Sequence, residues 1–512
     1  MFAIDRSGVM KAPWVRLVVA LVAGAVMPLA FAPFGWFPLA LFAPAVLFAL
    51  WQSASPRQAF WQGFLFGLGM FGFGVYWVYI SIHVYGHSPL PLAIGVMLLF
   101  VSFLALFPAL AGYLATRVFQ PLGGVRLVLV MPAVWVALEL TRGWFLTGFP
   151  WLSVGYSQID SLLAWWAPLL GSYGVSFVTV LGAALLTLLL SAGNKARWLA
   201  ALGLGLLFGV SFLLGRVDWT MPAGEPLRVS IIQGNIDQAL KWEPDQRDPT
   251  LEKYVSLSRR EWQDPDWRPA LIVWPETAIP AFYHEAAATF LPELERQVRE
   301  AGVSLVTGIP VLDRSNWQYY NALMSLGGET DFYFKRHLVP FGEYLPLRNL
   351  LGTLLQVMPL PVADFSAGGP DQSPLRAAGY PVGSSICYEI IFGSAIAAAL
   401  PEAAWLVNVS NDGWFGDSPA PHQHLEMARM RALETGRYLL RATNTGISAI
   451  IDPQGQVRAR SPQFETAVVR GSIRPYAGAT PYVRFRDYPV ILMVAGILLV
   501  MRLTGRRVPA AR

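Results

Sequence analysis

One cysteine, Cys387, stands in a chain of 512 residues, and only 14% of those residues are charged. A lone thiol excludes an intramolecular disulfide and any thiolate-rich metal site, because each needs several sulfurs. The chain has only six histidines, and no two share helical ligand spacing beside a carboxylate motif, which argues against a zinc hydrolase. Charge is scarcest up to about Leu214, ordinary from Arg216 to Arg486, and scarce again from Tyr488 to Val500. With 54% hydrophobic residues and a mean hydropathy of +0.44, the order is membrane, soluble domain, membrane. The formal excess of five positive charges lies at the ends of apolar runs and forms no stripe, so no nucleic acid is expected as a partner.

A helix needs about 20 apolar residues to cross the hydrocarbon layer. About eight runs approach that length, near 15–31, 34–51, 60–82, 90–116, 127–145, 162–190, 198–214 and 488–501. The expected division is a transmembrane domain over 1–215 with about seven helices, a catalytic domain over 216–486, and a last helix with its tail over 487–512. Arg6, Lys11, Arg16, Arg57, Arg117, Arg126, Lys195, Arg197, Arg502, Arg506 and Arg507 all fall on one side of such a bundle, whereas the opposite connections carry little beyond Arg142. The positive-inside rule then places both termini in the cytoplasm and the soluble domain outside it. Ala30-Phe31-Ala32 fits a signal-peptidase pattern, but the first run is read as a retained span. Trp144, Trp151, Trp165 and Trp166 are expected in an aromatic belt, and Glu139 and Arg142 as an interfacial pair. The Gly67-Leu68-Gly69-Met70-Phe71-Gly72 string resembles a dinucleotide fingerprint, yet it lies inside an apolar run with no strand before it. Close helix packing is the better reading.

Between Arg228 and Ile473, short β-branched runs at 229–233, 271–274, 304–308, 322–326, 382–386, 405–409 and 448–451 read as strands. The patterns at 291–301 and 424–441 read as helices, and the alternation implies a layered α/β domain. Reactive groups gather at strand ends in such folds. Leu271-Ile272-Val273-Trp274-Pro275-Glu276 delivers a carboxylate, Phe332-Tyr333-Phe334-Lys335 an ammonium, and Ser385-Ile386-Cys387-Tyr388-Glu389 the thiol. A helix is expected over 388–400, its N-terminus holding Cys387 as thiolate. A thiol with an ordinary pKa of about 8.5 needs a base at neutral pH, and the tetrahedral intermediate of acyl transfer needs a nearby cation. Glu276 and Lys335 answer those needs. His422 and His424 offer the alternative of an imidazole beside the thiol.

The ordered set Gln233-Gly234-Asn235-Ile236, Lys241-Trp242, Trp274-Pro275-Glu276-Thr277, the segment from Lys335 to Pro346, Cys387-Tyr388-Glu389 and Asn408-Val409-Ser410-Asn411-Asp412-Gly413-Trp414-Phe415 resembles the nitrilase, or carbon-nitrogen hydrolase, superfamily. With apolar spans on both sides, the chain is similar to the apolipoprotein N-acyltransferase family within it. The resemblance implies an αββα sandwich in the periplasm of a bacterial inner membrane protein. Glu276 would be the general base, Lys335 the oxyanion partner and Cys387 the nucleophile. Glu343, Tyr388, Glu389, Trp242 and Trp414 would support the site or bind substrate, and no cofactor or metal is implied. The acyl donor would be a phospholipid, through the sn-1 chain of phosphatidylethanolamine. The acceptor would be the N-terminal amine of a diacylglyceryl-cysteine apolipoprotein. A membrane-bound carbon-nitrogen amidase is the rival reading, and a transporter with an outer binding domain a weaker one. Residues 350–361 and the Trp414-Phe415 loop are also expected to form an apolar lid.

Overall fold

The computed structural model describes residues 12–120, 123–345 and 364–505, so the segment 350–361 lies outside the described residues. The chain divides into two compact units. One is made of residues 12–79, 89–217 and 485–505, and the other of residues 80–88 and 218–484.

The first unit is helical. Four helices are long and apolar enough to cross a membrane: Pro13–Ala30, Leu90–Val118, Leu162–Ser191 and Asn194–Leu214. A fifth span results if Pro56–Gly74 is joined to Val78–Tyr85, while Leu39–Trp51 and Tyr488–Thr504 are apolar but shorter. Helix Val125–Trp144 also belongs here and carries Arg126, Glu139 and Arg142. Four or five qualifying spans among the described residues is fewer than the expected eight, because apolar runs in the sequence are divided by turns and cut short at their ends. The run at 60–82 is such a case, its helix ending at Gly74.

Side chains such as Leu98, Leu99, Leu199, Leu202 and Leu206 point outward, an arrangement suited to lipid. Inside, small residues let helices touch. A methyl group on Gly67 would meet Ala105 Cα at 2.6 Å, and one on Gly69 the Leu21 carbonyl oxygen at 2.4 Å, so the glycine string serves close packing. Glu139 accepts from Trp135 Nε1 at 3.0 Å and Val154 N at 2.9 Å, and Arg142 donates to the carbonyls of Phe149 and Trp151. They tie down the turns after their helix. Of the expected belt, Trp144 is exposed but Trp151 is buried.

The second unit is built on strands β1 (Thr220–Pro222), β2 (Leu227–Gln233), β3 (Leu271–Val273), β4 (Ser304–Asp313), β5 (Gln318–Leu326), β6 (Asp331–Phe334) and β7 (Leu375–Ala377). It continues with β8 (Tyr380–Ile386), β9 (Trp405–Ser410), β10 (Leu439–Thr443), β11 (Ala449–Ile451), β12 (Val457–Arg460), β13 (Ala467–Ile473) and β14 (Tyr476–Gly478). Two six-stranded sheets result, ordered β13-β2-β3-β4-β5-β6 and β12-β11-β10-β9-β8-β7. Parallel strands β2, β3 and β4 form the centre of one, and β8, β9 and β10 that of the other.

Val229, Ile231, Leu271 and Val273 from the first sheet share a core with Val382, Ile386, Val407 and Leu440 from the second, so the sheets pack face to face. The first sheet's other face buries Ile232, Ile272 and Leu305 against helices Arg247–Gln263 and Leu291–Ala301. Helix Ala420–Thr435 is buried along almost its whole length. It stops at Gly436, whose φ of +62° suits a residue without Cβ, so residues 439–441 are strand and not the helix that the sequence pattern suggested.

Candidate active site

Each reactive side chain leaves the end of a strand. Past β3, Trp274 is buried and donates from Nε1 to Ser258 Oγ at 2.8 Å, and its backbone N–H bonds to the Val306 carbonyl at 2.8 Å. The turn carrying Glu276 then presses against Gly308, where a Cβ would lie 2.3 Å from Thr277 N. Only glycine fits there. Past β6, Lys335 N donates to Asn321 O at 2.8 Å and prolongs the ladder by one residue. Past β8, Cys387 has φ of +51°, a left-handed conformation that is strained for a side-chain-bearing residue and turns the chain sharply out of the sheet.

Glu276 and Lys335 are almost wholly buried, at 8% and 1% exposure, while Cys387 is half-buried. Lys335 Nζ donates to Glu343 Oε1 at 2.7 Å and stands 3.9 Å from Glu276 Oε1. Asn321 Nδ2 bridges the two carboxylates, 2.7 Å from Glu276 Oε1 and 3.4 Å from Glu343 Oε1. Glu276 Oε2 accepts from the backbone N–H of Asn411 at 2.9 Å, and Glu343 Oε2 from that of Val339 at 2.8 Å. Lys241, also buried, donates to the backbone carbonyl of Glu276 at 3.2 Å. One ammonium is thus held between two carboxylates, each of which also accepts a backbone N–H, as buried charges require.

Burial raises the Glu276 carboxyl above its ordinary range; Lys335 opposes that rise and Glu343 adds to it. Lys335 is itself held charged, because Glu343, Glu276 and Cys387 together outweigh the cost of burying its ammonium. Burial, followed by the charge of Glu276, pushes the Cys387 thiol up to about 12, with Lys335 working in the opposite direction. This corrects the expected thiolate. In place of a helix over 388–400, a five-residue 3-10 turn, Cys387–Ile391, is followed by the short turns Gly393–Ile396 and Ala397–Ala399. So short a turn has little dipole to set against desolvation. The resting site therefore pairs a neutral thiol with a carboxylate already favourable to protonation.

Glu389 is a brace between two strand ends. Its carboxylate accepts from Ile386 N at 2.8 Å, Arg336 N at 2.7 Å, His337 N at 3.1 Å and the Tyr333 hydroxyl at 3.0 Å. It thereby fixes the turn before Cys387 to the loop after Lys335. Tyr388 is buried, with its ring 5.4 Å from that of Phe392 and 5.9 Å from that of His337. Trp242 and Trp414 are 53% and 41% exposed. The Trp414 ring lies 5.5 Å from that of Tyr85, and its carbonyl accepts from Ser81 Oγ at 2.8 Å. Among the described residues no hydrogen bond or ion pair joins either tryptophan to Glu276, Lys335 or Cys387. Glu276, Lys335, Glu343 and Cys387 are the residues brought together.

Sequence reading missed Asn321 as the bridge, although an asparagine amid the apolar residues of β5 is a signal. It also missed Tyr333 and Arg441. His424 does approach Cys387, but its Nε2 meets the backbone carbonyl at 3.2 Å. Its partners Asp412 and Arg441 are buried beside it.

Comparison with known proteins agrees with this architecture. The profile of the apolipoprotein N-acyltransferase N-terminal domain matches residues 23–185, and that of the carbon-nitrogen hydrolases residues 228–482. The apolipoprotein N-acyltransferase of Methylococcus capsulatus is 48% identical over 94% of this chain and 95% of its own length. That of Coxiella burnetii is 41% identical over 94% of this chain and 99% of its own. Among solved structures, Saccharomyces cerevisiae Nit3 of the nitrilase superfamily matches 58% of this chain and 98% of its own at 15% identity, with a TM-score of 0.38. With relatives of this identity along nearly its whole length, the chain belongs to the apolipoprotein N-acyltransferase family and is a membrane protein bearing a carbon-nitrogen hydrolase domain.

Proposed function

We propose that the chain moves a fatty acyl group from a phospholipid to the N-terminal amine of a diacylglyceryl-cysteine lipoprotein, through a thioester on Cys387. The observation that carries this reading is the buried cluster in which Lys335 Nζ stands 2.7 Å from Glu343 and 3.9 Å from Glu276, with Cys387 at the neighbouring strand end, in a chain with helices apolar enough to cross a membrane.

As the thiol attacks the donor ester, its proton passes to Glu276. General-base help of this kind contributes about 100- to 10,000-fold. Lys335 offsets the negative charge developing on the carbonyl oxygen of the ester, a contribution of about 100- to 1000-fold per donor in acyl transfer. Collapse of the intermediate breaks the ester bond, and the leaving alkoxide takes the proton from Glu276. In the second half, the acceptor amine attacks the thioester, Glu276 accepts an amine proton, and the thiolate leaves and is reprotonated. Glu343 keeps Lys335 charged and placed.

Phosphatidylethanolamine, through its sn-1 chain, is the donor in this reading, and Tyr388, Trp242 and Trp414 help to form the substrate surface. The family resemblance and the one-sided basic residues favour eight spans in a bacterial inner membrane, cytoplasmic termini and a periplasmic catalytic domain. A periplasm-dependent reporter should work when fused after Gly224 and fail after Arg507; the reverse would refute the orientation. The activity itself is tested with purified full chain, phospholipid and a synthetic diacylglyceryl-cysteine peptide. The peptide should gain one acyl chain on its amine, whereas release of free fatty acid alone would favour a hydrolase.

A further inference from the structure

A buried guanidinium lies behind the thiol, outside the Glu276, Lys335 and Glu343 cluster. Arg441, in β10, is fully buried. Its Nη1 donates to Asn408 Oδ1, and its Nη2 lies 2.8 Å from Asp412 Oδ2 and 2.9 Å from His424 Nδ1. Asn408, Asp412 and His424 are buried as well. Two of these partners reach one atom: His424 Nε2 lies 3.2 Å and Asn408 Nδ2 3.4 Å from the carbonyl oxygen of Cys387.

Hydrogen-bond chemistry fixes the orientation of both. A carbonyl oxygen only accepts, so His424 must carry a proton on Nε2 toward Cys387, while its Nδ1 lies against both Arg441 Nη2 at 2.9 Å and Asp412 Oδ1 at 3.1 Å. Burial and the Arg441 charge lower the His424 pKa, in keeping with a neutral ring. By the same logic Arg441 takes the Asn408 amide oxygen and turns the Asn408 N–H2 toward the Cys387 carbonyl and toward Ser385 Oγ, 3.1 Å away. Asp412 balances the guanidinium charge and accepts from Ser410 Oγ at 2.7 Å. The atom so held belongs to the residue with φ of +51°, a conformation that persists only where surroundings over-determine it.

We infer that Arg441, His424 and Asn408 form a positioning clamp that grips the Cys387 carbonyl and holds the strained backbone so that the thiol faces Glu276 and Lys335. None of the three touches the reacting atoms in this account. The inference rests on Cys387 being the nucleophile and adds what keeps it in place.

The test compares His424→Leu, which removes the donor, with His424→Gln, whose amide N–H reaches the same carbonyl. With the purified full chain and phospholipid, single-turnover growth of the acyl-enzyme mass is followed together with apparent KM and melting temperature. The Leu variant should form acyl-enzyme about 5- to 30-fold more slowly, the factor that one or two kcal/mol represents. Its KM for phospholipid should not change, and the Gln variant should recover most of the rate. If the Leu variant fails to fold, Asn408→Ser removes the other donor and carries the same expectation. Wild-type acylation rates in a folded Leu or Ser variant, or equal losses in Leu and Gln, overturn the clamp. Acyl mass retained in Cys387→Ala would instead overturn the nucleophile itself, so the two failures are distinguishable.

Discussion

Truncating Glu389 to alanine strands three backbone donors at once, the buried N–H of Ile386 and the part-buried N–H groups of Arg336 and His337. A buried donor left without a partner costs about 1–3 kcal/mol and a part-buried one about half that, so the loss is about 2–6 kcal/mol against the roughly 5–15 kcal/mol that holds a domain folded. Glu389→Gln is milder. Its amide oxygen can still serve Arg336 and His337 while its N–H2 faces Ile386, leaving one donor unmet at about 1–3 kcal/mol. At about 2–4 °C per kcal/mol, the Ala variant should melt at least about 4 °C below wild type in a thermal scan of the purified chain, and the Gln variant should lie between them. Because the brace joins the turn before Cys387 to the loop after Lys335, the rate of acyl-enzyme formation should fall in the same order. An Ala variant that melts with wild type yet transfers no acyl group would show that Glu389 acts on substrate, and the brace would be wrong.

Two further outcomes follow from buried charge. Glu276 works as a carboxylate, so the acid limb of acyl-enzyme formation should lie above the ordinary carboxyl range. Glu343→Gln removes a charge that raises Glu276, and should therefore move that limb to lower pH; movement upward would contradict the assignment. Lys241 is brought down by burial to about 8 from 10.5, so between those values the unfolded chain binds the extra proton and this residue makes stability rise with pH. Lys241→Met should be more stable than wild type at neutral pH, by up to about 3 kcal/mol, with the gap closing toward pH 10.5. A pH-independent gap in denaturant titrations would count against it.

Strand ends were the most legible part of the chain. Runs such as 271–274 and 382–386 are apolar and β-branched because both sheet faces are covered, and the reactive residue follows where the apolar run stops. Helix Leu291–Ala301 was equally plain, with its apolar stripe and Gly302 cap. Edge strands β7 and β12 were missed because they are short and alternate in burial. The end of helix Ala420–Thr435 was missed because its residues are buried on every side and give no stripe. Cys387, Glu276 and Lys335 could be singled out as candidates from residue type and position. The state of the thiol could not, since desolvation depends on what the fold packs around it. For Glu389, expected to support the site or bind substrate, the bracing contacts could not be read ahead, because only the tertiary fold brings Arg336 and His337 to it.

The central claim is a thioester on Cys387, and intact-mass measurement after incubation with a phospholipid of defined sn-1 chain tests it most directly. The wild-type chain should gain one acyl mass that hydroxylamine removes, that a diacylglyceryl-cysteine peptide chases off, and that never forms on Cys387→Ala. An equal acyl mass on the Ala variant, or a mass that the acceptor peptide leaves in place, would contradict it.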